Sequence, residues 1–238
     1  MPEEFEGDLS GAVFWGADLR GARFRDVNLT DVTISHAWLG DVEIDAFIDR
    51  VVVNGVDVTA FVNENDRWYP LRAVLGAADP ESMRAGWAAL REAWAASVAR
   101  AGRLPDEDLH VSVDGEWSYV QTLRHLVLAT DKWFTSPILG GPFHPIGLPN
   151  TGSTDFPWPN LDREAAPSLP EVLAVRADRA ARLGDYLAAM TADDLTRTVV
   201  VLENGPHLVR ECISTVLEEE FWHLRYADRD LTALEANR

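Results

Sequence analysis

A single cysteine, Cys212, stands in a chain of 238 residues, so no internal disulfide can form and the fold must hold by its core. Set in a helical apolar pattern beside Ile213, it reads as a small core residue rather than a nucleophile. Basic residues are scarce. There are 21 Lys and Arg against 39 Asp and Glu, the formal charge is −18, and no basic cluster offsets it locally. Such a surface repels a phosphate backbone and an anionic bilayer, which argues against nucleic-acid and membrane partners. No apolar run nears the roughly 18 residues of a spanning helix. The start Met1-Pro2-Glu3-Glu4 lacks the basic and apolar stretches of a secretory signal, so the expectation is a soluble protein of the reducing cytoplasm. What is present is a 47% hydrophobic content, ample for a buried core.

From Leu9 an apolar residue returns at every fifth position: Leu9, Phe14, Leu19, Phe24, Leu29, Ile34, Leu39, Ile44. Two residues before each stands Gly7, Ala12, Ala17, Ala22, Val27, Val32, Ala37 or Val42. This spacing suits neither a strand nor a helix. The pattern A-[DN]-L-x-G, clearest in Ala17-Asp18-Leu19-Arg20-Gly21, resembles the pentapeptide-repeat family. That resemblance implies a right-handed square β-solenoid with one pentad per face, about two turns in all. Asp8, Asp18, Asp26, Asp31 and Asp41 raise the idea of duplex mimicry, which needs longer stacks. The plainer reading is a packing or dimerisation module. The coil is expected to close with a hairpin over Val51-Val52-Val53-Asn54-Gly55-Val56-Asp57-Val58, where Asn-Gly is the turn signal. The predicted organisation is therefore a coil with terminal hairpin at 5–58, a linker at 59–78 and a helical domain at 79–238.

Four amphipathic helices are predicted in that last part. The first opens at Asp79-Pro80-Glu81, with a cap, a proline at the first helical position and an acid at the positive end, and stops at Gly102. The second spans about 117–134 and the third about 169–190. Thr196 to Leu202 reads as a strand that turns at Glu203-Asn204-Gly205, and a fourth helix follows over about 211–234. The Pro/Gly-rich stretch 140–167, with Phe143-His144-Pro145-Ile146-Gly147-Leu148-Pro149 and Phe156-Pro157-Trp158-Pro159, is either an aromatic lid over a substrate or an ordered crossover covering a helix end. The fold class is mainly α, a four-helix bundle with one long crossover.

In the fourth helix Glu219 and His223 are four residues apart and share a face, half of a divalent-metal site. Both sit at the margin of the apolar stripe and Glu220 projects into it, where a carboxylate needs a partner. The segment Trp117-Ser118-Tyr119-Val120-Gln121-Thr122-Leu123-Arg124-His125-Leu126 resembles the W-S-x6-H-L signature of the DinB-like proteins, and the fourth helix resembles their final H-x-x-x-H helix. Position by position, the resemblance implies His125, Glu219 and His223 as metal ligands, with glutamate where the commoner pattern has histidine. The same comparison implies a divalent ion, whether zinc, nickel or iron, and a thiol-dependent S-transferase or isomerase using a low-molecular-weight thiol such as mycothiol or bacillithiol. Metal-dependent hydrolysis, with Glu220 as catalytic proton acceptor, is one alternative; a non-catalytic binding or scaffold protein is the other. His144 and Trp158 are the candidate substrate contacts in the long loop. Asp131, Arg124 and Tyr226 are either supports for the ligands or ordinary surface groups, and His36, His110 and His207 read as repeat, loop and turn residues. The expected partner is a small-molecule substrate, with a homodimer as a further expectation.

Overall fold

A computed structural model describes residues 5–24, 27–46 and 48–236; Asp26 and the Met1-Pro2-Glu3-Glu4 start lie outside them. The chain divides into two compact units, Met1–Ala46 and Phe47–Arg238.

In the first unit the five-residue period is written into the backbone. Left-handed residues recur at Gly11, Gly16, Gly21, Asp31, His36 and Asp41, always two places after a row residue. The Ala12, Ala22 and Val32 N–H groups donate to the carbonyls of Leu9, Leu19 and Leu29. The acid or amide preceding the row has a local purpose as well. Asp8, Asp18 and Asn28 each accept the backbone N–H two residues on, at 2.9, 3.1 and 2.9 Å, which pins the turn. No strand is assigned among the described residues of this unit, and the apolar row stays open, from Leu19 at 48% exposure to Ile44 at 71%.

The second unit is mainly helical. It starts with an antiparallel hairpin, Val52–Val53 paired with Val56–Asp57 across left-handed Asn54 and Gly55, so the expected hairpin belongs here rather than to the coil. The expected linker at 59–78 is also corrected. It forms the helices Thr59–Asn65 and Tyr69–Arg72 and a tight turn over Ala73–Gly76. Its Val74 and Ala77 are core residues, with Trp68 and Leu71 packed against that core. These four apolar residues recur every third position, and the polar run Asn63-Glu64-Asn65-Asp66-Arg67 before them, with Pro70 among them, disguised the period.

Four long helices follow: α1 (Pro80–Ala101), α2 (Tyr119–Thr130), α3 (Leu169–Ala189) and α4 (Val209–Ala236). Helix α1 packs on α3 and α4, and α2 packs on the same pair, which closes a ring of four. Asp79 caps α1 by accepting the N–H groups of Glu81 and Ser82. Gly86 lets α1 approach the preceding segment, since a Cβ there would come within 2.9 Å of Val74 Cγ2. Met83, Trp87 and Leu90 of α1 meet Leu183 and Leu187 of α3 and Ile213, Leu217 and Phe221 of α4 in one cluster; Trp94, Leu123, Leu126, Val172 and Leu224 centre a second. Between α3 and α4 lies the expected strand, Thr198–Val201, paired antiparallel with Gly205–Leu208.

Helix α2 differs from its predicted span. It starts at Tyr119, opens into a π-turn over Asp131–Thr135, and regains one α-turn over Ser136–Leu139. No described helix is long and apolar enough to cross a membrane.

Candidate metal centre

A capping box sets the start of α2. The Gln121 N–H donates to Ser118 Oγ at 3.3 Å, and the Ser118 N–H donates to Gln121 Oε1 at 2.9 Å. The cap leaves Trp117 just outside the helix and His125 two turns inside it. All of 122–131 is buried, because α2 is wrapped on every face.

His125 meets Glu219 and His223 of α4. One potential ligand atom from each of the three lies within 4.8 Å of the others. His125 Nε2 stands 3.3 Å from Glu219 Oε2, while its Nδ1 is 3.0 Å from the Leu148 carbonyl. A carbonyl only accepts, so Nδ1 carries a proton, and Nε2 is the nitrogen that faces the carboxylate. His223 is held alike: its Nδ1 lies 2.9 Å from the Glu219 carbonyl and 3.3 Å from Oε2 of the same residue, which leaves Nε2 unprotonated in the neutral ring.

Burial above all, then the neighbouring His125, pushes His223 down to about 4, so it is neutral at ordinary pH. Burial alone would raise the Glu219 carboxyl. The hydrogen bond and charge of His125, with His223 and Lys132, outweigh it and hold the group below its usual range, ionised. A proton or a metal cation between His125 Nε2 and the Glu219 carboxylate satisfies both, so an ion can take the proton's place there. Two imidazoles and one carboxylate also form a donor set that zinc, nickel and iron accept, so the residues present fit a divalent ion.

Two supports of this corner were not assigned from the sequence. The Trp117 ring lies 4.6 Å from that of His125 and 6.0 Å from that of His223, and the two imidazoles are 4.8 Å apart. Trp117 therefore walls one side, a role that the Trp-Ser pair before the helix signalled without naming. The second support is the Leu148 carbonyl. Arg124 Nε donates to the Ile146 carbonyl at 2.8 Å, and the Leu148 N–H donates back to the Arg124 carbonyl at 3.2 Å. Gly147 permits this contact, because a Cβ there would press to 3.3 Å from Leu128 Cβ. The long loop is thus bonded to α2 as an ordered cover, and its backbone fixes the tautomer of His125.

The other expected residues fall elsewhere. Glu220, the candidate proton acceptor, is not among the three grouped residues: its side chain is buried and its Oε2 accepts Arg176 Nη2 at 2.8 Å. Asp131 is neither a surface group nor a partner of the ligands. It is fully buried and accepts Arg179 Nε at 2.8 Å and the His144 N–H at 2.7 Å. The His144 ring turns Nδ1 toward the Ile146 N–H at 3.4 Å. Trp158 packs on Phe156 and Phe143 and donates its indole N–H to the Ser153 carbonyl at 2.8 Å. Neither His144 nor Trp158 is among the three grouped residues. Tyr226 presents its ring edge to His223 at 5.9 Å. His36 occupies a left-handed turn of the coil, His110 ends a tight turn near Asp106, and His207 packs on Trp133 beside Glu211. Cys212 is buried, and desolvation raises its thiol to about 11, which removes it as a nucleophile.

A family profile described as the DinB superfamily matches residues 89–227, and one for pentapeptide repeats matches eight copies over 8–42. No curated protein and no solved structure matches the chain.

Proposed function

The chain belongs to the DinB superfamily, and from that footing we propose that His125, Glu219 and His223 hold a divalent metal ion with which the protein activates a low-molecular-weight thiol for transfer or isomerisation. The observation that carries this reading is the orientation of the two histidines. Each gives its Nδ1 proton to a backbone carbonyl, and the Nε2 of His125 is aimed at an ionised carboxylate.

A bound divalent ion would supply a Lewis acid that lowers the pKa of a thiol or water at the same place. Leu148 and the Glu219 carbonyl hold the two rings in the ligating tautomer, and Trp117 keeps water from one side of them. Glu219 would bring one negative charge to a bound dication and the imidazoles none, which would leave room for one anionic ligand such as a thiolate. Hydrolysis asks more of the protein, namely a carboxylate free to accept a proton from water. Glu220 is bound by Arg176, which favours the thiol reading over the hydrolytic one.

The test is turnover of an activated aryl halide by protein reconstituted with zinc, nickel or iron(II), with and without mycothiol or bacillithiol. Thiol adduct that needs the metal and disappears in His125→Ala supports the proposal. Ester cleavage without thiol would establish the hydrolase, and absence of bound metal would establish a scaffold.

A further inference from the structure

The 21 basic residues of this chain include a single lysine, Lys132. It lies seven residues beyond His125, two turns along the same face and a rise of about 10 Å. The π-turn at Asp131–Thr135 presents it, and irregularities of this kind occur mostly where a helix must aim a side chain. Its ammonium sits between two indole faces, 5.4 Å from the Trp133 ring and 5.2 Å from that of Trp158, with the side chain 16% exposed. Its charge reaches Glu219.

The nearby arginines are committed. Arg176 and Arg179 are sealed against the buried acids Glu220 and Asp131. Lys132 instead pairs at 2.7 Å with Glu203, whose side chain is 36% exposed. Glu203 belongs to the hairpin turn Leu202–Asn204, which begins on Leu202 at φ 35, a strained angle for a bulky residue. The Glu203 end of the pair is open to solvent, so another carboxylate can exchange with it.

We infer that Lys132 is a specificity-determining residue that binds the anionic end of the substrate, and that Glu203 occupies its place until that substrate arrives. The ligand class is an organic acid long enough to reach from the metal site to Lys132, two turns along the helix. Trp133 and Trp158 form the apolar walls around that acid group. The inference deepens the metal-site reading, on which it rests only for what happens at the far end of the substrate.

Because Lys132 is the sole lysine, protein isotopically labelled at lysine alone gives one side-chain ammonium signal to follow by NMR. In metal-free protein, hexanoate should move that signal saturably and hexanol should not. Glu203→Gln should lower the half-saturating hexanoate concentration, and inorganic phosphate serves as the rival anion. With cobalt-loaded protein, mercaptohexanoate should bind about tenfold tighter than mercaptohexanol, and Lys132→Met should abolish that preference. A signal unmoved by hexanoate overturns the inference, as does a preference that survives Lys132→Met, or phosphate binding in place of the carboxylate. So does a result in which Lys132→Met and Glu203→Gln lower the Tm equally without touching carboxylate binding, because the pair would then be a hairpin anchor. Should cobalt fail to bind, the hexanoate arm still decides the role of Lys132, and only the metal reading falls.

Discussion

Two carboxylates stand side by side on α4 and are accommodated in opposite ways. Glu220 points into the protein and meets Arg176, whose guanidinium also lies 4.9 Å over the Trp94 ring. Glu219, one residue earlier, meets two imidazoles, of which that of His223 is kept neutral by burial. The first corner is electrically complete. The second gathers a carboxylate and two imidazoles with no arginine or lysine among the described residues bonded to Glu219, and that difference marks the place where an external cation adds most. The Asp131–Arg179 pair repeats the closed solution between the π-turn and α3.

The largest effect that would sharpen this contrast comes from Arg176→Ala. It leaves Glu220 buried without its cation and should cost about 3–5 kcal/mol in urea unfolding. A cost below about 1 kcal/mol would show that Glu220 finds water or another partner, which would break the comparison. Next is the open corner. Zinc at a hundred times its Kd should stabilise the wild type by about 2.7 kcal/mol, measured by thermal unfolding, and His125→Ala should remove the gain. Equal stabilisation of both proteins would put the ion elsewhere. A smaller effect is expected of Ser118→Ala, which deletes the α2 cap for about 1 kcal/mol. Zinc affinity should fall with it, because Trp117 and His125 are placed by that first turn. Smallest of all, His36→Gly relieves a left-handed histidine in the coil and should stabilise that unit by about a few tenths of a kcal/mol. Slower amide exchange over 27–46 would register it, with zinc binding by the helical unit unchanged.

Much of this was legible in the sequence, for reasons that differ from place to place. The five-residue period announced the turn geometry of the first unit, although Asp31, His36 and Asp41 take the left-handed positions where Gly11, Gly16 and Gly21 stood in the earlier pentads. Asp79-Pro80 gave the start of α1, since capping is a local property. The region 59–78 was obscured by the polar run 63–67 and by Pro70, and only packing against the core reveals the common side of Trp68, Leu71, Val74 and Ala77. His125 escaped periodicity because α2 is buried all round and has no polar face from which a ligand could stand out. Its assignment came from resemblance to a family pattern. The distinction between Glu219 and Glu220 depended on Arg176, a partner 44 residues away on another helix. The Leu148 carbonyl is a backbone contact that no side-chain motif encodes.

The central claim is that α2 and α4 together make one site for a divalent ion. Its most direct measurement is the metal content of protein purified without chelator or immobilised metal, beside His125→Ala and His223→Ala treated identically. One ion per chain in the wild type and essentially none in either variant is the expected result. Metal-free wild type, or variants that retain the full complement, would contradict it.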